Sequence, residues 1–428
     1  METKMTMATK NHDVTISAEA VKSIIEADTP RELFENKRVL VLTPDTTRTC
    51  PLPMMVQSVR ETIGCRASKL DFMVALGTHQ TLSEENILKL YGLSREDQRE
   101  KYADSRFLNH RWDLPETLIQ VGQITRDEVE AVSGGRLSET VSIDINKAVF
   151  DYDLVFILGP VFPHEVVGFS GGAKYLFPGI SGGEFLHFFH WLAAIITCRN
   201  IIGCKDTPVR QMIDKAMEKI ETPVHCAAMV VNHTGGLSGF YVGDYRSAWS
   251  QAADLSAKMH IVTKKAPYQT VLGRCPHRYD EIWTAGKVMY KLEQAVTQGG
   301  DLIIYAPHIK EISTTWGEYI ERIGYHVRDY FLTDMDRFKD IPRGVLAHST
   351  HVRGSGTFEN GLEKPDVNVI LATGIPREKC ERVNLGYMNP DDIDLSRYRD
   401  KEDQGILFVD NAGETLYRLG IDTYSHQT

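Results

Sequence analysis

Short apolar runs that end in Gly, Pro or Asp alternate along this chain with stretches whose apolar residues recur every three or four positions. The runs Arg38–Leu42, Leu70–Leu76, Leu154–Leu158, Val224–Val231, Thr270–Leu272, Leu302–Tyr305 and Val367–Leu371 predict buried strands. Helices are predicted at Met54–Ile63, Val209–Ile220, Tyr245–Met259, Glu281–Val296 and Thr315–Ile323. In the second of these, Val209, Met212, Ile213, Met217 and Ile220 line one apolar face. Strands alternating with amphipathic helices mean an α/β architecture. No internal repeat or low-complexity tract interrupts the pattern.

A chain of 428 residues is too long for one ordinary core. The segment Val262–Pro267 reads as a linker before a fresh strand–loop–helix unit. The expectation is therefore two α/β domains, 1–266 and 267–428, with the active site in the cleft between them. The tail Leu407–Leu419 is expected to return as a strand and a helix that could pack back on either domain.

Composition narrows the function classes. Hydrophobic residues are 42% and charged residues 25%, the balance of a globular protein. A net charge of −10 argues against a nucleic-acid surface, and any anionic ligand needs a local cluster of cations. Seven scattered cysteines without a CxxC pair read as reduced thiols of a cytoplasmic protein. The start METKMTMATKNHDV has no apolar core of a signal peptide. The most apolar stretch, Phe185–Ile202, is broken by His187, His190, Arg199 and Asn200, so no membrane span is expected.

Ligands of open α/β sheets bind beyond the carboxyl ends of the strands. Three predicted strands run into polar segments there: Pro44-Asp45-Thr46-Thr47-Arg48, Gly77-Thr78-His79-Gln80 and Gly159-Pro160-Val161-Phe162-Pro163-His164. A histidine after a strand is often a cap or a core residue; three such segments on one sheet edge suggest a site. Next comes Gly168–Gly183, with six glycines in 16 residues around Lys174. Such backbone can approach an anion closely, although the loop is neither Walker A nor GxGxxG. A mobile surface loop is the plainer reading, but Phe169, Tyr175, Leu176, Phe177 and Ile180 suggest an ordered one.

His187 and His190 stand at i and i+3 on a probable helix, a spacing that suits metal ligation. No paired Cys or acidic third ligand lies nearby in sequence, so a metal there would need most of its ligands from something other than protein. His348–Thr357 (HSTHVRGSGT) is either an exposed loop or a substrate-facing loop offering donors, and His308 is a weaker candidate of the same kind. His110 reads as structural.

These residues together resemble the lactate racemase family, the nickel-pincer nucleotide enzymes. The resemblance rests on DxxR, GTH, PHxxxGFSGGxKxxxPGI and the later His190, with His164 ten residues before Lys174 and His190 sixteen after it. It extends more loosely over the C-terminal part. It implies a thioamide linkage from Lys174 to the pyridinium ring and nickel ligation by His190, the ring supplying the other ligands. Gly171, Gly172 and Asp45 would join in holding the cofactor. His79 and His164 would be the acid–base pair, and Arg48 would meet the substrate carboxylate. Trp283-Thr284-Ala285-Gly286-Lys287 stands where the family reads YQAVK, so Lys287 would be a second carboxylate partner, with Trp283 and Thr284 beside the substrate.

The expected reaction is inversion of C2 in a 2-hydroxy acid by hydride removal and return, in partnership with cofactor-synthesis enzymes. Two departures, Trp283-Thr284 for Tyr-Gln and Gln80 for the usual Arg, put strict lactate specificity in doubt. With Arg353 offered as a further substrate contact, they point to a larger or more hydroxylated acid. Two rivals remain: a non-catalytic protein binding a nucleotide or metal cofactor, and a metal-dependent hydrolase.

Overall fold

The computed structural model describes residues 15–420; the signal-peptide reading of residues 1–14 lies outside them. The chain is α/β and divides into two compact units, neither of them continuous in sequence. The first comprises residues up to Phe162, Phe169–Leu186 and Arg210–Met259; the second comprises Pro163–Gly168, His187–Val209 and His260 onward.

Six strands form the sheet of the first unit: β1 (Arg38–Thr43), β2 (Lys69–Val74), β3 (Phe107–Asn109), β4 (Leu154–Pro160), β5 (Val224–Val231) and β6 (Leu237–Asp244). Their order is β6-β5-β4-β1-β2-β3, parallel throughout except for the β6 edge. Central parallel strands are covered on both faces, which is why β1 and β4 read as unbroken apolar runs. Val39, Leu40, Val41 and Leu42 are fully buried. The crossover helix Leu52–Thr62 turns Leu52, Met55, Val56 and Val59 onto that sheet. Asp71 interrupts β2 from a buried position. It is satisfied by Tyr152 Oη at 2.6 Å and by Arg106 through its backbone N at 2.7 Å and its Nε at 2.9 Å.

The second unit carries β7 (Ile261–Lys264), β8 (Tyr268–Arg274), β9 (Val296–Ala306), β10 (Asn368–Thr373), β11 (Gly386–Tyr387), β12 (Ile406–Val409) and β13 (Leu416–Leu419). Its main sheet is parallel in the order β11-β10-β9-β8-β12, and β7 pairs separately with β13, also in parallel.

Three expectations change. The supposed linker contains a strand, because the backbone of Ile261–Lys264 pairs with Leu416–Leu419. The tail yields two strands rather than a strand and a helix, both within the second unit. Between Gly413 and Gly420 there is room for fewer than two helical turns at about 3.6 residues each, so strand pairing satisfies the backbone instead. From His348 to Arg353 the polar stretch is no loop but the end of the helix Arg343–Arg353, in which every residue from Gly344 to Val352 is buried; Gly354 and Ser355 then turn into the strand Gly356–Glu359.

Candidate active site

In the first unit the topology places β4, β1 and β2 side by side and parallel, so their carboxyl ends share one edge. The loops after β1 and β2 meet there. Asp45, buried, accepts from the Thr47 backbone N at 3.0 Å and the Thr47 hydroxyl at 2.7 Å through Oδ1. Its Oδ2 lies 2.5 Å from Nδ1 of His79. A carboxylate only accepts, so the His79 hydrogen resides on Nδ1 and its Nε2 presents a lone pair. Trp112 Nε1 donates to the His79 carbonyl at 2.7 Å and fixes the loop from behind. Beside this pair a cavity of about 470 Å³ is lined by Asp45, Arg48, Cys50, Asn86 and Lys89, two of them cations in an otherwise acidic chain.

The glycine-rich segment packs against the same edge. Gly77 N donates to the Gly179 carbonyl at 2.9 Å. Tyr175 is buried in electrostatic reach of Cys50, Arg48 and Asp45, and burial holds its phenol well above the ordinary range. Lys174 is half-buried in the short turn Gly172–Tyr175. Gly171 and Gly172 have φ of +80° and +58°, and a Cβ would meet Val161 at 2.7 Å or Trp249 at 2.9 Å. Only glycine fits there. Trp249 also donates from Nε1 to the Ser170 carbonyl at 2.8 Å, with the Arg210 guanidinium over its ring at 4.1 Å. The segment is therefore an ordered turn, not a mobile surface loop.

The second unit holds the other candidates. His164 is buried, and its Nδ1 accepts the Val166 backbone N–H at 3.1 Å, which puts the hydrogen of the neutral ring on Nε2. Glu165 Oε2 stands 3.5 Å from the same Nδ1. His187 and His190 lie on the helix Gly183–Ile196, both half-buried. Burial pushes His187 down to about 4, and its Nδ1 has no hydrogen-bond partner. Lys287 is buried on the helix Ile282–Leu292 with its ammonium 4.8 Å from the Tyr279 ring centroid.

Three further candidates are already engaged. The Thr284 hydroxyl donates to the Glu281 carbonyl of its own helix at 3.0 Å. Trp283 stacks on His348 with ring centroids 3.9 Å apart. Arg353 Nε faces Glu363 at 4.0 Å, in a cluster where Glu363 also takes His326, Asn384 and the Val327 N–H. His308 Nε2 bonds the Tyr279 carbonyl at 2.8 Å, and His110 is buried between the Ser181 carbonyl and Asn146. Sequence reasoning missed Asp45 as the partner of His79, and it missed Tyr290 and Trp316 around His348. The three-residue step from His348 to His351, read as helical, was the one signal available for the latter.

Among the described residues no group of three or more His, Cys, Asp or Glu side chains is placed to hold a metal ion. A metal taken by His190 must therefore arrive with ligands of its own, which suits a chelated cofactor and not an all-protein centre. At Gly171 and Gly172 the space a Cβ would take is filled by Val161 and Trp249, so these glycines let the Lys174 turn pack closely on the protein itself. No helix of the described residues is long and apolar enough to cross a membrane.

Residues 1–201 match the family model described as the lactate racemase N-terminal domain. A lactate racemase from Thermoanaerobacterium thermosaccharolyticum is 23% identical over 283 residues, a match that spans 64% of this chain but only 61% of that protein. The crystal structure of a Thermotoga maritima protein superposes with a TM-score of 0.86 at 33% identity, covering 94% of this chain and 98% of the other. The lactate racemase apoprotein from T. thermosaccharolyticum superposes at 0.72 with 17% identity, covering 94% and 93%.

Proposed function

We propose that this chain, whose residues 1–201 match the lactate racemase N-terminal domain, inverts C2 of a 2-hydroxy acid, the C2 hydrogen travelling as hydride. The observation that carries this reading is the His79–Asp45 pair on the edge against which the glycine-rich segment bearing Lys174 packs.

Hydride chemistry needs an acceptor that side chains do not provide, and a nickel-pincer nucleotide would supply it when bound. Lys174 would hold that group covalently, Gly171 and Gly172 would let the backbone approach it, and His190 would ligate its nickel. The chain's own work is positioning and proton handling. Arg48 and Lys287 would be the cations offered to a carboxylate. His79 takes the C2 hydroxyl proton on Nε2, and Asp45 stabilises the imidazolium that results. His164 offers Nε2–H to the substrate oxygen. To release that proton it must first gain one on Nδ1, where the Glu165 carboxylate supports the charged ring.

The test is nickel analysis of the purified protein with mass measurement of the Lys174 peptide, followed by C2 inversion assays in deuterated water. The expected result is nickel, a modified Lys174 and inverted product without deuterium at C2. Rapid exchange of the C2 hydrogen with solvent would support a carbanion route instead. His190→Ala should lose nickel while His187→Ala keeps it; the reverse would mean that the wrong histidine has been assigned to the metal.

A further inference from the structure

One group in the second unit bears on the substrate class, if the racemase reading above holds. The helix Arg343–Arg353 turns Gly344, His348 and His351 to one side, successive turns of one face. A Cβ on Gly344 would come within 2.7 Å of His187 Nδ1, so this glycine admits the histidine ring. One turn on, His348 lies almost flat on Trp283, with an interplanar angle of 28°. Trp316 completes the group at 6.1 Å from both Trp283 and His187.

The other side of the His348 ring holds its Nδ1. Nδ1 lies 3.0 Å from Tyr290 Oη, and burial keeps that phenol protonated. With the tyrosine as the donor of this bond, the neutral imidazole carries its hydrogen on Nε2. Nε2 is buried without a hydrogen-bond partner, an unfavourable state for a donor. The stack on Trp283 and the bond from Tyr290 prevent the ring from turning to find one. Trp283, Trp316 and His187 of this group, and His190 on the same helix as His187, are half-buried. His190 is close enough for its charge to be felt at His348.

We propose that the His348 Nε2–H is a specificity-determining donor for an oxygen that the substrate carries beyond its carboxylate and C2 hydroxyl, so that polyhydroxylated 2-hydroxy acids are preferred to those with a bare alkyl group. A methyl group packed there leaves the N–H unsatisfied, whereas a hydroxyl oxygen accepts it; such sites discriminate strongly against the analogue lacking the polar group. Tyr290 is a positioning residue that fixes the tautomer. Arg353, on the same helix, faces Glu363 and is not the donor.

The experiment titrates the full chain with D-gluconate and with L-lactate by calorimetry, and measures inversion of both by cofactor-loaded protein. Wild type should bind gluconate about tenfold or more tightly than lactate, the usual scale for one buried hydrogen bond. His348→Phe keeps an aromatic ring against Trp283 but removes the donor, and should erase that preference while leaving lactate within about twofold. His348→Gln, whose amide nitrogen reaches a similar point, should restore part of it, and Tyr290→Phe should fall between. If His348→Phe proves unfolded, the last two variants carry the test. Equal losses for both acids, or a gluconate preference that survives the variants, overturn the proposal and leave the racemase reading standing. If no 2-hydroxy acid is bound or inverted by wild type, both fall together.

Discussion

Two histidine-bearing loops, one in each unit, hold their rings in opposite ways. His79 gives its Nδ1 hydrogen to Asp45 and leaves Nε2 as an acceptor. His164 takes a backbone hydrogen on Nδ1 and leaves Nε2 as a donor. The residue type is the same, and the partner on the far nitrogen decides what the near nitrogen can do. One neutral ring presents a lone pair on Nε2. The other presents a hydrogen there, with Glu165 beside its Nδ1.

The largest expected effect comes from deleting the rings. His79→Ala and His164→Ala should each cost about 100-fold or more in turnover, the usual contribution of general acid–base catalysis. Steady-state rates in both directions of inversion decide this, and a variant that keeps most of its activity removes that ring from the pair.

Changing the far-side partners sharpens the contrast. Asp45→Asn replaces one acceptor oxygen by a donor amide and can leave His79 in the wrong tautomer. A loss of roughly 10- to 100-fold in turnover is expected. Glu165→Gln keeps the Val166 bond that sets His164 at rest, so its effect should be several-fold and confined to conditions where the charged ring is needed. pH–rate profiles of the two variants test this; superimposable profiles would mean that the two loops are not inequivalent after all.

A third comparison uses packing. A Cβ on Gly159 would fall 1.9 Å from Tyr175 Oη, and the neighbouring ring atoms are equally unable to give way. Gly159→Ala should destabilise the first unit by about 1–3 kcal/mol, as overpacked cores do, and disturb the Lys174 turn with it. Gly344→Ala meets only the tip of the His187 ring, at 2.7 Å, and should cost less, with the loss confined to the second unit. Thermal melts combined with segment-resolved hydrogen exchange separate the two outcomes.

The last comparison is a pH dependence, in which the two units differ by one buried ring. In the second unit burial pushes His348 well below its ordinary range and His187 and His351 down to about 4. In the first, burial lowers His110 to about 4 and His225 less far. A histidine kept neutral by folding binds fewer protons folded than unfolded. Its contribution is therefore complete above the unfolded value near 6.5 and is lost as the pH falls from there towards 4. Each such ring withdraws about 1 kcal/mol per pH unit across that window. With more of them, the second unit should lose hydrogen-exchange protection first between pH 6.5 and 5. Equal loss in both units would show that other groups dominate.

Much of this contrast was legible in the residues. The unbroken apolar runs of β1 and β4 identified buried parallel strands, and the polar residues that follow them located the shared edge and the His79 loop. The helix Pro208–Met217 followed its three-to-four spacing, burying Val209, Met212, Ile213 and Ala216. The helix through His348 was illegible because its polar side chains face other polar and aromatic residues, so it lacks the apolar stripe that marks a helix from outside. Nor could spacing reveal that Pro163–Gly168 and His187–Val209 are counted with the second unit, since unit membership depends on contacts distant in sequence. The tautomers depend on single hydrogen bonds that no pattern encodes.

The pairing of β7 with β13, and of β8 with β12, sets an order of events during synthesis. The first unit has all its strands once the ribosome has passed Asp244 and can fold while translation continues. The second unit draws on residues made early, including the His164 loop and the His190 helix, yet its last strand does not exist until Leu419 has been added. The His164 loop and the His190 helix must therefore wait, already synthesised, for the final strand of their own unit to emerge. The Lys174 turn, in the first unit, does not depend on that strand.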